Sequence, residues 1–132
     1  MQTGAENLTG VWQGLYTYSA RGRSVSFVAT LIESGRVLSG SIHEPRDFGV
    51  PVGETLYATL LGSRSGSAVS FTKTYQNAGP FYGSVEYAGA LSGDRTEIEG
   101  VWTIPRGGSG KFLMVRSAGK TAAIKQKKSV RV

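Results

Sequence analysis

The chain predicts an all-β fold, a single closed up-and-down meander barrel of about eight antiparallel strands. Three observations predict it. Apolar and polar residues alternate through a series of short runs, the pattern of strands with one buried face. Turn signals part these runs at short intervals, drawn from 19 glycines and 4 prolines among 132 residues. Thr9-Gly10-Val11-Trp12 opens the first run and Gly100-Val101-Trp102 sits in the seventh, tryptophans placed to plug a small barrel.

The elements follow in order. Leu8–Tyr18 reads as the first strand and Ser24–Glu33 as the second, joined by a turn at Ala20-Arg21-Gly22. Ser34-Gly35 turns tightly into Arg36–Glu44, and a longer loop with Pro45, Asp47, Gly49, Pro51 and Gly53 follows. Thr55–Ser63 and Ala68–Tyr75 form a hairpin around Ser65-Gly66. Gln76-Asn77-Ala78-Gly79-Pro80 leads into Phe81–Leu91, Ser92-Gly93-Asp94-Arg95 into Thr96–Ile104, and Pro105-Arg106-Gly107-Gly108 into Gly110–Ser117. Connections this short make sequential strands antiparallel neighbours, and closure removes the exposed edges.

Composition bounds the molecule to one domain with one core. We expect an N-terminal arm at residues 1–7, the barrel at 8–117 and a basic tail at 118–132, flexible or carrying a short helix over Thr121–Lys127. The formal charge is +6, of which the tail holds +5 through Lys120, Lys125, Lys127, Lys128 and Arg131. The body is therefore nearly neutral. A solvated terminus is the favoured reading of the tail, which we expect the fold can do without. No aromatic residue interleaves its charges, which disfavours nucleic acid as a partner. There is no cysteine, so neither disulfides nor thiol chemistry enter. The first residues lack the basic start and apolar stretch of a secretory signal, and no apolar run reaches membrane-spanning length. A cytoplasmic protein is the expectation, with a processed secreted form the alternative.

Strand alternation assigns the faces. Trp12, Gly14, Tyr16 and Tyr18 point inward, with Leu38, Gly40, Ile42 and Glu44, then Phe71, Lys73 and Tyr75. Val85, Tyr87 and Gly89 join them, with Ile98, Gly100, Trp102 and Ile104, and with Phe112, Met114 and Arg116. The odd strands end at one mouth, which gathers Tyr18, Glu44, Lys73, Tyr75 and Trp102. The other end receives Trp12 and Arg116, set to stack as a structural floor if the first and last strands meet. The mouth mixes aromatic surface with one acid, one base and two phenols, the chemistry of an amphipathic ligand pocket. His43 lies on the outer face. One histidine without cysteine leaves no metal set, and no partnered base supports a nucleophilic triad. No catalytic residue and no cofactor is assigned.

A Gly-x-Trp in the first strand with an arginine in the last resembles the lipocalin and calycin pattern. In layout the chain resembles the avidin and streptavidin family more closely, through Leu8-Thr9-Gly10-Val11-Trp12, Val37-Leu38-Ser39-Gly40-Ser41 and Ile98-Glu99-Gly100-Val101-Trp102. The resemblance implies an eight-stranded barrel holding a ligand at the mouth. It does not imply biotin. Where that family places asparagine and serine on the first strand, this chain has Gly14 and Tyr18, and where it places tyrosine and serine on the third, Ile42 and Glu44. Its fifth-strand Trp-Lys is Thr72-Lys73 here, and its C-terminal aspartate has no counterpart.

The reading that results is a binding protein for a small amphipathic molecule, with Glu44, Lys73 and the tyrosine hydroxyls fixing its orientation. Two alternatives stand beside it. One is an enzyme using Glu44 as general acid or base. The other is a filled-barrel scaffold whose basic tail contacts an anionic partner. A homo-oligomer is compatible with each.

Overall fold

A computed structural model describes residues 7–18, 24–45, 55–76, 83–105 and 107–116. The expected basic tail, the arm up to Glu6, the turn at residues 20–22 and most of the 45–53 loop lie outside the described residues. Eight strands are seen: β1 (Gly10–Tyr18), β2 (Ser24–Ser34), β3 (Val37–Pro45), β4 (Thr55–Ser65), β5 (Ala68–Tyr75), β6 (Ser84–Leu91), β7 (Glu97–Thr103) and β8 (Ser109–Arg116). Each pairs antiparallel with the next, and β1 pairs with β8, closing the barrel. The all-β meander barrel expected from the pattern is the fold found.

The first strand starts two residues later than the alternation suggests, and the reason is local. Leu8 and Thr9 leave the ladder and are tied to Glu33 of β2 instead. The Leu8 N–H donates to Glu33 Oε1 at 2.7 Å, and the Glu33 N–H donates to Thr9 Oγ1 at 2.9 Å. Leu8 thereby folds under the barrel and is fully buried.

The inward faces form one core, from Leu8 and Trp12 at one end to Tyr16, Tyr87 and Trp102 toward the other. Phe71 and Tyr87 stack at 4.8 Å between ring centres, and Phe112 meets Tyr87 edge-on at 4.9 Å. Two glycines make this packing possible. Phe27 lies where a side chain at position 14 would stand, so its ring fills the lumen over Gly14. Gly40 adopts a φ of +153°, and a Cβ there would lie 1.9 Å from the Thr30 carbonyl oxygen, so β3 crosses β2 too closely for any other residue.

On the outside, the alternation holds on β2 to β7, whose outward residues are exposed or half-buried. It fails on β1 and β8. Leu15, Leu113 and Val115 point outward and are nevertheless buried.

Candidate functional site

The site is organised by one carboxylate. Glu44 stands near the end of β3 on the inward face, and burial leaves it 1% exposed, as it does Lys73 on β5. Lys73 Nζ lies 3.4 Å from Glu44 Oε2. The Tyr75 hydroxyl donates to the same oxygen at 2.5 Å, and the Tyr16 hydroxyl donates to Oε1 at 3.0 Å. Both oxygens are thus engaged by donors from β1 and β5, facing β3 across the lumen. Charge-assisted bonds of this kind are the stronger class, and they offset part of the cost of removing two charges from water.

Tyrosine rings complete the cage around the ammonium. Lys73 Nζ sits 4.7 Å from the Tyr75 ring centre, 4.9 Å from that of Tyr16 and 5.2 Å from that of Tyr87. Their negative faces replace some of the hydration the ammonium has lost. Burial pulls the Lys73 ammonium below its ordinary pKa, with the Glu44 carboxylate opposing that shift. The phenols move the other way. Burial first, then the nearby Glu44 charge, pushes Tyr16, Tyr75 and Tyr87 well above the ordinary tyrosine value. All three therefore remain protonated, and Tyr16 and Tyr75 serve as donors to Glu44.

Of the five residues expected at the mouth, the structure brings Glu44, Lys73 and Tyr75 into direct contact. Tyr18 and Trp102 form an adjoining aromatic wall, their rings 5.5 Å apart and edge-on, with Tyr16 5.9 Å from each. Trp102 is buried, and its indole N–H donates to the Thr17 carbonyl at 3.0 Å, which pins the ring against β1. Tyr18, Tyr75 and Ile104 pack only partly buried on the core. A rim of half-exposed apolar surface therefore lies beside a buried, internally neutral polar centre.

Two members of this centre, Tyr16 and Tyr87, were absent from the expected set. Alternation turns both inward, but nothing in the sequence says that Tyr16 lies level with Glu44 two strands away. That depth is set by the ladder register, in which Tyr16 opposes Val25 and Phe112 while Glu44 opposes Leu56.

At the opposite end the Arg116 guanidinium lies over the Trp12 ring, 4.7 Å from its centre. It donates to the Asn7 carbonyl at 2.9 Å and to the Thr9 carbonyl at 3.4 Å, while the Trp12 indole donates to the Leu8 carbonyl at 2.9 Å. The arginine thus staples the chain entering β1 onto the barrel. Among the described residues no cluster of three or more histidine, aspartate or glutamate side chains could hold a metal ion. No helix among them is long and apolar enough to cross a membrane.

No family model matches the chain, and no curated protein matches it in sequence. Solved structures do match in fold. A redesigned β-barrel aligns with a TM-score of 0.71 at 17% identity, covering 89% of this chain and 98% of the other. A de novo designed fluorescence-activating β-barrel aligns with a TM-score of 0.62 at 12% identity, covering 89% of this chain and 100% of the other. These likenesses define the class, a closed eight-stranded antiparallel barrel. Both neighbours are designed proteins and neither is an avidin or a calycin, so the resemblance drawn from the sequence holds at the level of the barrel.

Proposed function

We propose that the protein binds a small amphipathic molecule, other than biotin, at the mouth of the barrel. The molecule's apolar body rests on Tyr18, Tyr75 and Trp102, and one hydroxyl, amine or amide reaches toward the Glu44–Lys73 centre. The observation that carries this reading is a buried ion pair beside a half-buried aromatic rim. Apolar residues of the same volume would stabilise a plain core as well or better, whereas few convergent polar groups within aromatic walls are the chemistry of a ligand site. Because the pair is neutral as a unit, it favours a polar but uncharged ligand group.

One structural neighbour is a fluorescence-activating barrel, which makes environment-sensitive fluorogens the natural first probes. Titration with a panel of uncharged amphipathic fluorogens is expected to give saturable emission that quenches or shifts Trp102 fluorescence. Tyr18→Ala is expected to weaken it about tenfold or more, the loss of one aromatic contact. Native mass spectrometry checks for co-purified small molecules. Absence of saturable binding across the panel, with no co-purified species, overturns the reading.

A second reading has its own support. Both Glu44 oxygens are already satisfied inside the chain, as they would be in a filled barrel that serves as a scaffold. That outcome is the one indicated by failure of the titration. The same engagement gives little support to Glu44 as a general acid or base, since a substrate would first have to displace Tyr16, Tyr75 or Lys73.

A further inference from the structure

We propose that residues 118–132 dock along the outer face of β8 and β1, over Leu15, Leu113 and Val115. Leu15 and Leu113 are 3% exposed and Val115 is 1% exposed, although all three point away from the lumen. They lie together, because Leu15 opposes Leu113 and Gln13 opposes Val115 in the β1–β8 ladder. Long neighbours alone do not produce such burial. Val101 sits on the same face beside Lys111 and remains 49% exposed.

Topology narrows the cover to the chain ends. Val115 lies at the floor end of β8, opposite the mouth. The connections at that end, β2 to β3, β4 to β5 and β6 to β7, are all described and are short hairpins. The connections that contain the other undescribed internal residues, β1 to β2, β3 to β4, β5 to β6 and β7 to β8, join strand ends at the mouth. At the floor, only residues 1–6 and 117–132 are left to account for.

Chemistry selects the second. The tail is separated from Arg116 by Ser117 alone, and carries Ala122-Ala123-Ile124 together with Val130 and Val132. The N-terminal stretch offers Met1 and Ala5 as apolar residues, and Glu6 brings a like charge toward the acids of β7. Glu97 and Glu99 stand on the outer face beside Val115 and Leu113, where they complement the five tail cations. Length is sufficient as well. The stripe from Val115 to Lys111 spans about 13 Å at strand rise, within reach of the 15-residue segment 118–132 whether extended or helical. Toward the mouth it opens into a cavity of about 190 Å³ lined by Leu15, Thr17, Glu99, Lys111 and Leu113. The tail thus becomes part of the folded unit, contrary to its expected dispensability.

The test uses the full-length protein and trypsin, which cuts after Lys120, Lys125, Lys127, Lys128 and Arg131, with mass spectrometry of the products. A docked tail is cut about tenfold or more slowly than a free peptide of residues 117–132, because cleavage waits for local opening. Ile124→Asp changes the tail alone and is expected to raise the cutting rate about tenfold, with the strand circular dichroism unchanged. Leu113→Lys is expected to do the same from the barrel side. Tail cutting at the free-peptide rate in the wild type overturns the proposal. So does a protected tail whose rate neither variant changes. Deletion of residues 2–6 is the control. If it exposes the stripe to the hydrophobic dye ANS and Ile124→Asp does not, the N-terminal stretch is the cover and the proposal fails.

Discussion

Replacing Lys73 by methionine removes one charge from the buried centre while keeping most of the side chain's volume and its contact with three tyrosine rings. The consequence is calculable in outline. At 3.4 Å and an effective dielectric near 20, the Coulomb attraction is about 5 kcal/mol. The variant loses that attraction and leaves the Glu44 carboxyl buried without its cation, held only by Tyr16 and Tyr75. Breaking a buried pair in this way costs about 3–5 kcal/mol. Glu44→Gln in the same background removes the orphaned charge and retains an oxygen that one phenol can bond. The double variant is therefore expected to regain about half or more of the loss, giving a coupling well above 1 kcal/mol. Guanidinium unfolding at pH 7, followed by circular dichroism and by tryptophan fluorescence, measures all four corners of the cycle. If Lys73→Met costs less than about 1 kcal/mol, water reaches the pair, and the argument from burial is refuted.

Trp12→Ala removes a fully buried indole together with its bond to the Leu8 carbonyl and its stack on Arg116. An expected loss of about 3–5 kcal/mol is read from the same unfolding curves. The buried phenols give a pH dependence with a definite sign. Tyr16, Tyr75 and Tyr87 have folded pKa values raised above the unfolded one, so their contribution is fully present below the unfolded tyrosine pKa. It is lost as pH rises beyond about 10, where only the unfolded chain can ionise them. Ultraviolet titration is expected to show these three silent until the barrel unfolds in alkali. Normal tyrosinate formation by all of them in a folded protein would contradict the cage.

The barrel was legible because its evidence is local. Gly35, Gly66 and the Ser92–Arg95 turn mark hairpins in the sequence itself, and the period-2 faces of β3, β5 and β7 need no knowledge of their partners. The candidate site was half legible for the same reason. Alternation turns Glu44, Lys73 and Tyr75 inward, but their joining with Tyr16 and Tyr87 depends on depth, which the ladder register sets. The outer stripe left one sign in the sequence. Phe112-Leu113-Met114-Val115 is a continuous apolar run, the pattern of a strand covered on both faces. Read only for its inward half, that run looks like any other strand of a simple barrel. The start of β1 was not legible at all, because the capture of Leu8 and Thr9 by Glu33 joins residues far apart in the sequence.

The Glu44 centre has two consequences that differ in kind. Its donors come from β1 and β5 while the acceptor sits on β3, so it ties three non-adjacent strands through the lumen. A one-residue slip of β3 would turn Glu44 to the outside and leave Lys73 buried without a partner. The cluster therefore penalises wrong registers whether or not anything binds. A ligand at the mouth has no need to dismantle it, since Tyr18, Tyr75 and Ile104 offer half-buried surface above it. Apart from Tyr75, which takes part in both, register and recognition then rest on different residues. Substitutions at Lys73 and Glu44 act on stability first, while truncation of Tyr18 acts on binding with the register intact. A barrel that loses stability with Lys73→Met and loses nothing with Tyr18→Ala, in either stability or binding, is a scaffold. One that responds separately to each is a receptor.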